Sequence, residues 1–137
     1  MPELTMVSVE EVAELATSLP EVSEGTSRGN RSWEVAGTGF AWVRPFSKAD
    51  IRRFGEHPVP AGPIVAVMTA DLAEKEAILA EGRTGFFTIE HFDGYAAVLI
   101  DVTTAKQRWV REAIVDAWLA KAPRELADAY AERELRG

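Results

Sequence analysis

The chain has 137 residues, of which 47% are apolar, and its formal net charge is −7 at pH 7. This length is typical of one domain with its own core, and the absence of cysteine excludes disulfides, thiolate metal sites and thiol catalysis. The first 15 residues lack the basic and apolar segments of a signal peptide, and no apolar run approaches the roughly 20 residues of a membrane span. The composition therefore predicts one domain over residues 1–137, located in the cytoplasm and without a membrane partner.

The sequence opens with a helix signal followed by a polar stretch. Ser8 and Glu11 form a capping-box pattern at the start of a helical apolar period, and Pro20 ends that period. Residues 21–31 are dense in turn-forming residues, so they are interpreted as a loop.

A β-hairpin is predicted next, over residues 32–45. Gly37–Gly39 provides a tight turn between two runs of strand-forming residues. Strict alternation along the second strand would place Phe40, Trp42 and Arg44 on one face.

The remaining residues alternate between helix and strand signals. They predict a short capped helix over 47–54, a buried strand over 63–69, a helix over 71–82, two strands on either side of 90–94, and a closing helix from Thr104. Pro123 should break the closing helix, because its ring prevents the backbone bond to residue i−4. Consecutive strands with short connections pair antiparallel. The predicted class is therefore α+β, a two-layer fold with an antiparallel sheet of about five strands packed against helices.

One segment, residues 26–57, is basic, with six bases against three acids. Its cations are Arg28, Arg31, Arg44, Lys48, Arg52 and Arg53. Arg31 and Arg44 would come from adjacent strands and the last three from the next helix, so the cations are expected to meet at one edge near Trp42. Such a patch suits phosphates, and Trp or Arg planes can stack on unpaired bases. The alternative is a solvated face whose cations pair with acids, and the net charge of −7 opposes polyanion binding.

The stretch EHFDG has three interpretations: a metal site, a proton-transfer site or a turn. Glu90 and His91 would point to opposite faces of a strand, so a convergent metal site with Asp93 would need an irregular loop. Asp93 followed by Gly94 is a strong hairpin signal, because both residues can adopt positive φ. The stretch is interpreted as a β-hairpin with His91 packing or hydrogen-bonding at its end, and no metal or cofactor is predicted.

No pattern in the sequence is typical of catalysis. The GxSxG and HExxH motifs are absent, and helix caps and loops account for the serines. The segment GTSRGN lacks the GxxxxGK[ST] pattern of a phosphate-binding loop. We therefore expect a protein without a catalytic site.

Four tryptophans are interpreted mainly as contacts between the sheet and the closing helix: Trp33, Trp42, Trp109 and Trp118. Trp109 and Trp118 lie about 180° apart around that helix, so they are expected at opposite margins of its apolar stripe. Margin positions also suit the rim of a groove for a peptide or small ligand.

Three segments together resemble a known family: RSWEVAGTGFAWVRP, FFTIEHFDGYAAVLIDV and AWLAKAPRELADAY. From about residue 8 to residue 130 they are similar to the MmcQ/YjbR family of small bacterial proteins, often labelled DNA-binding. The resemblance implies a YjbR-like two-layer fold, similar to secretion chaperones, with an antiparallel sheet covered by helices. Its motif loop here contains His91, Asp93, Gly94 and Tyr95. Relatives commonly carry proline where this chain has Glu90 and Ala96.

These observations lead to one expected function and one alternative. The expectation is a small non-catalytic binding protein of the MmcQ/YjbR type that contacts DNA weakly through the basic segment. The alternative is a protein or peptide adaptor that uses a groove beside the closing helix and has no nucleic-acid role. No pattern specifies an oligomeric state.

Overall fold

The structure, a computed structural model, describes residues 7–136. Its elements are α1 (Val9–Thr17), β1 (Val22–Ser27), β2 (Asn30–Val35), β3 (Thr38–Val43), α2 (Lys48–Phe54), β4 (Ile64–Met68), α3 (Leu72–Ala80), β5 (Phe86–Phe87), a 3₁₀ turn (Glu90–Phe92), β6 (Ala97–Asp101), α4 (Gln107–Lys121) and α5 (Arg124–Arg136). The strands form one antiparallel sheet in the order β1-β2-β3-β4-β6-β5. The predicted α+β class, with two layers and an antiparallel sheet, is confirmed. Among residues 7–136, no helix has both the length and the apolar character that crossing a bilayer requires.

The sheet has six strands rather than about five, because residues 21–31 form a strand and a turn instead of a loop. β1 pairs with β2 along its whole length, from Val22 to Ser27, and Arg28 and Gly29 make the two-residue turn between them. Most side chains of this edge strand are exposed. Because most side chains of an exposed edge strand face solvent, its sequence does not alternate between apolar and polar residues. Its polar composition therefore resembles that of a loop.

β2 and β3 form the predicted hairpin, but Ala36 and Gly37 make its turn instead of Gly37–Gly39, because Thr38 and Gly39 already pair with β2. The pairing register shifts by one residue within the hairpin, which leaves Phe40 as the extra residue of β3. Phe40 is fully buried in the same cluster as its neighbour Ala41, whereas Trp42 contacts the opposite cluster. The expectation that Phe40 shares a face with Trp42 and Arg44 is wrong, because a β-bulge interrupts the two-residue alternation.

The sheet separates two apolar clusters. Alternation along β4 sends Val65 into the larger cluster and Ala66 into the smaller one, as expected for a buried strand. The larger cluster lies between the sheet and α1, α3 and α4, and it contains Trp33 and Trp118, both fully buried. The interpretation of these two tryptophans as core residues is confirmed.

Trp118 does not lie at a margin of its helix, contrary to expectation. Its indole N–H donates to the backbone oxygen of Pro20 at 3.0 Å, and the ring of Tyr130 on α5 lies 5.0 Å from its own. The returning α5 thus covers this side of α4. Trp109 is half-buried, with the guanidinium of Arg83 4.4 Å from its ring centre.

The closing segment begins later than predicted, at Gln107 instead of Thr104. The Asp101 carboxylate accepts hydrogen bonds from the backbone N–H and the hydroxyl of Thr103, at 3.1 and 2.7 Å, and these bonds hold a turn before the helix. Asp and Thr side chains favour such local bonds over helical ones. The predicted break at Pro123 is confirmed, because it separates α4 from α5.

A first prediction concerns Gly85, whose carbonyl accepts the Asp101 N–H at 2.8 Å and so positions β5 beside β6. Gly85 has φ +87°, and a Cβ there would lie 2.9 Å from the backbone oxygen of Asp101. Gly85→Ala should lower the free energy of unfolding by about 2–3 kcal/mol, measured by urea denaturation. Gly82→Ala is the matched control: it has φ +65° but open space around the added methyl, so it should cost about 1 kcal/mol. Equal losses would contradict the steric argument.

A second prediction concerns Asp116 on α4. Burial, with the nearby carboxylates of Glu112 and Glu74, raises the pKa of Asp116. Because the pKa of Asp116 is higher in the folded state than in the unfolded state, the protein loses stability as the pH rises from the unfolded-state value to the folded-state value. The loss persists at neutral pH. Asp116→Asn should therefore raise the melting temperature at pH 7 by about 1–4 °C, and the gain should vanish below about pH 3.

The control for this prediction is Asp128→Asn on α5, which removes the same charge from an exposed carboxylate 3.8 Å from Arg124. Thermal unfolding followed by circular dichroism should show no gain for this variant at pH 7. A gain equal to that of Asp116→Asn would instead indicate a general effect of the negative net charge.

Candidate functional site

The smaller apolar cluster lies on the face of the sheet opposite α4, beneath α2 and the 3₁₀ turn. We call this surface the α2 face, comprising residues 44–57 and 88–95. Its base is made by residues of β4 and β6, such as Ala66 and Leu99, and half-buried aromatic rings complete it. The basic segment and the motif loop, which are separate in the sequence, meet here.

A capping box and a buried ion pair position α2. The hydroxyl of Ser47 accepts the N–H of Asp50 at 3.1 Å, and the Asp50 carboxylate accepts the N–H of Ser47 at 2.9 Å, as predicted. The same carboxylate, almost fully buried, accepts a bond from Arg44 Nη1 at 3.0 Å. Burial alone would raise the pKa of Asp50, but the bonds from Ser47 and Arg44 hold it below its ordinary value. Arg44 is therefore the partner of an ionised carboxylate and not a free cation.

The expected meeting of Arg31 with Arg44 is wrong. Ser32 pairs with Trp42, so Arg31, one residue earlier, points to the opposite face from Trp42. There Arg31 donates to Glu24 at 2.7 Å and also binds Glu10 of α1. The hydrogen bonds that Arg31 donates to these two carboxylates raise its pKa. This arginine joins α1 to the sheet edge.

The other four cations have fewer acidic neighbours. Arg28 is exposed in the turn between β1 and β2, and Lys48, Arg52 and Arg53 are exposed on α2. Arg53 Nε lies 3.9 Å from the Glu90 carboxylate. Within residues 7–136, no carboxylate lies within 4 Å of the charged groups of Lys48 or Arg52, which are one helical turn apart. The cationic part of the α2 face therefore consists of these two residues and a loosely paired Arg53.

The motif loop differs from the predicted two-residue hairpin. β5 ends at Phe87, and a 3₁₀ turn precedes the Asp93–Gly94 pair. Asp93 has φ −59° and ψ 130°, Gly94 has φ +75°, and the Tyr95 N–H donates to the Phe92 oxygen at 3.0 Å. These values define a type II turn, so only Gly94 needs positive φ. The expectation of positive φ at Asp93 is wrong.

His91 is exposed on this loop, with its ring 6.1 Å from that of Phe92. The His91 side chain, with both ring nitrogens, is exposed to solvent. It does not occupy the packed position that the sequence suggested. In the part of the chain that the structure describes, no group of three or more His, Asp or Glu side chains is placed to hold a metal ion.

A buried lysine missed by the sequence analysis holds the motif loop. Lys75 of α3 is 5% exposed, and its ammonium donates to the backbone oxygens of Phe92 and Tyr95, both at 2.7 Å. Burial lowers the pKa of Lys75, and the charge of Asp93 opposes this. One signal was present in the sequence: Lys75 lies three residues before Ile78, on the apolar stripe of α3.

Aromatic contacts join the loop to β3. The Phe92 ring is almost fully buried, with Trp42 stacked at 6.5 Å and Tyr95 edge-on at 5.6 Å. The guanidinium of Arg44 lies 5.6 Å from the centre of the same ring. Trp42 is half-buried and Tyr95 is exposed, so both rings keep surface that solvent can reach. Predicted residues of the basic segment and of the motif loop are thus in one contact network.

A cleft of about 430 Å³ opens between α2 and the 3₁₀ turn. It is lined by Asp50, Arg53, Phe54, His57, Thr88, Ile89 and Glu90. Phe54 and Ile89 give it apolar walls, while the other side chains supply charge and hydrogen-bonding groups. Four of its lining residues, Phe54, His57, Thr88 and Ile89, were not candidates from sequence, because the cleft brings together chain segments about 30 residues apart.

A second depression, of about 320 Å³, lies beside α4. It is bordered by Leu15 of α1 and Val110 of α4, with Glu14 and Arg111 among its polar lining residues. It lies beside the closing helix, but neither Trp109 nor Trp118 lines it, unlike the tryptophan-rimmed groove that the sequence suggested.

Comparison with known proteins finds bacterial relatives of undetermined role. No family model matches the chain. It is 36% identical over 128 residues to an uncharacterized protein of Mycobacterium bovis, and equally to uncharacterized proteins of two Mycobacterium tuberculosis strains. Each alignment covers 91% of this chain and 96% of the relative. This chain belongs to the family of these mycobacterial proteins. Membership of the MmcQ/YjbR family stays a prediction.

A third prediction follows from the lysine that holds the loop. Lys75→Met should lower the free energy of unfolding by about 1–3 kcal/mol, because two buried carbonyl oxygens lose a charged donor. It should also speed hydrogen exchange at the Tyr95 amide, which closes the turn. Lys48→Met, the same change at an exposed site, should stay within about 0.5 kcal/mol of the wild type. An unchanged hydrogen-exchange rate of the Tyr95 amide in Lys75→Met would contradict the role of Lys75 in holding the motif loop.

Proposed function

We propose that this protein is a non-catalytic cytoplasmic binding protein of the MmcQ/YjbR type that contacts single-stranded DNA weakly through the α2 face. The observation that carries the proposal is the pair Lys48 and Arg52, exposed one helical turn apart without a carboxylate within 4 Å among the described residues. Exposed cations without a carboxylate partner can bind the phosphates of a nucleic acid and release the counterions condensed on it.

The distribution of charge supports a small contact rather than an extended one. Arg31 and Arg44 each bind carboxylates, so neither is free to neutralise a phosphate. Arg53 has one acidic neighbour at 3.9 Å, a distance that leaves its guanidinium open to a second anion. Two or three phosphate contacts are therefore expected, and the net charge of −7 further weakens the attraction.

The aromatic network supports a single strand as the ligand. Trp42 is half-buried and Tyr95 is 47% exposed, and both rings contact Phe92. Unpaired bases can stack on such rings, whereas paired bases in a duplex are already stacked on one another. The resemblance to a family often labelled DNA-binding agrees with this ligand class.

A fourth prediction tests the proposal by fluorescence polarisation with a labelled single-stranded oligonucleotide. The logarithm of the association constant should fall linearly with the logarithm of salt concentration, with a slope of about −1.4 to −2.1 for two or three phosphates. Replacing Lys48, Arg52 and Arg53 together by alanine should abolish binding at low salt. Arg44 is kept, because its loss would leave the buried Asp50 carboxylate without its charged partner.

The control removes the same number of charges from α5, by changing Arg124, Arg133 and Arg136 to alanine. None of the α5 residues is buried, so this variant should fold normally and retain binding. Absence of binding at low salt, or equal loss in both triple variants, would refute the α2 face as a nucleic-acid site.

The second candidate function is a protein or peptide adaptor that uses the depression between α1 and α4. It is favoured by the half-buried Leu15, whose exposed part gives the depression an apolar surface for a side chain of the partner. Binding there would change little between about 50 and 200 mM salt, whereas phosphate binding weakens over the same range. A partner that binds without salt dependence would favour this function over the first.

A further inference from the structure

We propose that the cleft between α2 and the 3₁₀ turn accepts one unpaired nucleotide of a bound single strand. The base would lie against Phe54 and Ile89, and its phosphate would lie at Arg53 and His57. This inference rests on the proposed function and deepens it, because it gives the α2 face a base-binding pocket in addition to its cations.

The dimensions and position of the cleft fit this role. Its volume of about 430 Å³ is within the range of pockets that bind small organic ligands. Phe54 and Ile89 supply an apolar wall, and the ring of Phe54 is held edge-on by Phe46 at 5.3 Å. A ring fixed in this way offers a preorganised surface to a flat, apolar group.

The polar groups of the cleft suit the edge of a base. The Thr88 hydroxyl can donate or accept, the Glu90 carboxylate accepts, and the His57 imidazole can do either. All three side chains belong to exposed residues. Asp50, which also lines the cleft, is already occupied by bonds from Ser47 and Arg44, so it does not repel a ligand as an unpaired charge would.

The cations of the cleft continue into the cationic surface of α2. Arg53 lines the cleft, and Arg52 and Lys48 follow on the exposed surface of the same helix. A nucleotide combines a flat apolar group with an adjacent negative charge, which matches an apolar wall beside Arg53 and His57. An apolar peptide side chain would fill the wall but bring no negative charge to Arg53.

The test compares two single strands of equal length and charge, a thymidine oligonucleotide and an abasic oligonucleotide. If the cleft binds a base, the wild type should bind the thymidine strand at least about fivefold more tightly, since one stacked base contributes at least that factor. Thr88→Leu fills the cleft from an exposed position without changing the charge, so it should lower this preference several-fold, to the part that stacking on Trp42 and Tyr95 supplies, and leave the salt slope unchanged. Phe54→Ala should lower the preference to the same level through loss of the wall.

The matched control is Thr26→Leu, the same change on the exposed edge strand β1, which should keep the full preference. Equal affinity of the wild type for both strands, with a normal salt slope, would overturn the base pocket while leaving the phosphate contacts of the proposed function intact. Retention of the full preference by Thr88→Leu would overturn the location of the pocket. If neither strand binds at low salt, the proposed function fails and the pocket fails with it.

Discussion

The candidate site depends on one buried cation. The ammonium of Lys75 donates to two backbone oxygens of the motif loop, at Phe92 and Tyr95, and so fixes the loop against α3. With the loop held there, the Phe92 ring can lie under Trp42 and beside Arg44. A buried ammonium bound to two carbonyl groups is a strong constraint, because its loss would leave the buried Phe92 oxygen without a donor. The cleft and the aromatic network both rest on this arrangement.

The electrostatics of the chain explain why its cationic surface is small despite six basic residues in one segment. Arg44 is committed to the buried carboxylate of Asp50, where it stabilises the start of α2. Arg31 is committed to Glu24 and Glu10, where it links the sheet to α1. Both arginines thus have structural roles. What is left for a ligand is the exposed surface of α2, and any binding there must overcome the repulsion of a protein with net charge −7.

Substantial parts of the fold could be predicted, because their causes lie within a few residues of each other. The capping boxes at Ser8 and Ser47, the hairpin of β2 and β3 and the helix break at Pro123 are all present. Strand β1 was missed because an exposed edge strand carries no apolar alternation. The position of Phe40 was missed because a bulge is set by the pairing of two strands and not by one strand alone.

The α+β class and most of the helices and strands can be derived from the amino-acid sequence alone, since they follow from apolar periodicity and from side chains that bond to nearby backbone. Which charges are free and which residues share a site depends on the tertiary structure. Arg31 and Glu10 are 21 positions apart, and Lys75 reaches carbonyl groups 17 and 20 positions away. Contacts at such separations depend on how the elements pack, so no local pattern around either partner specifies them.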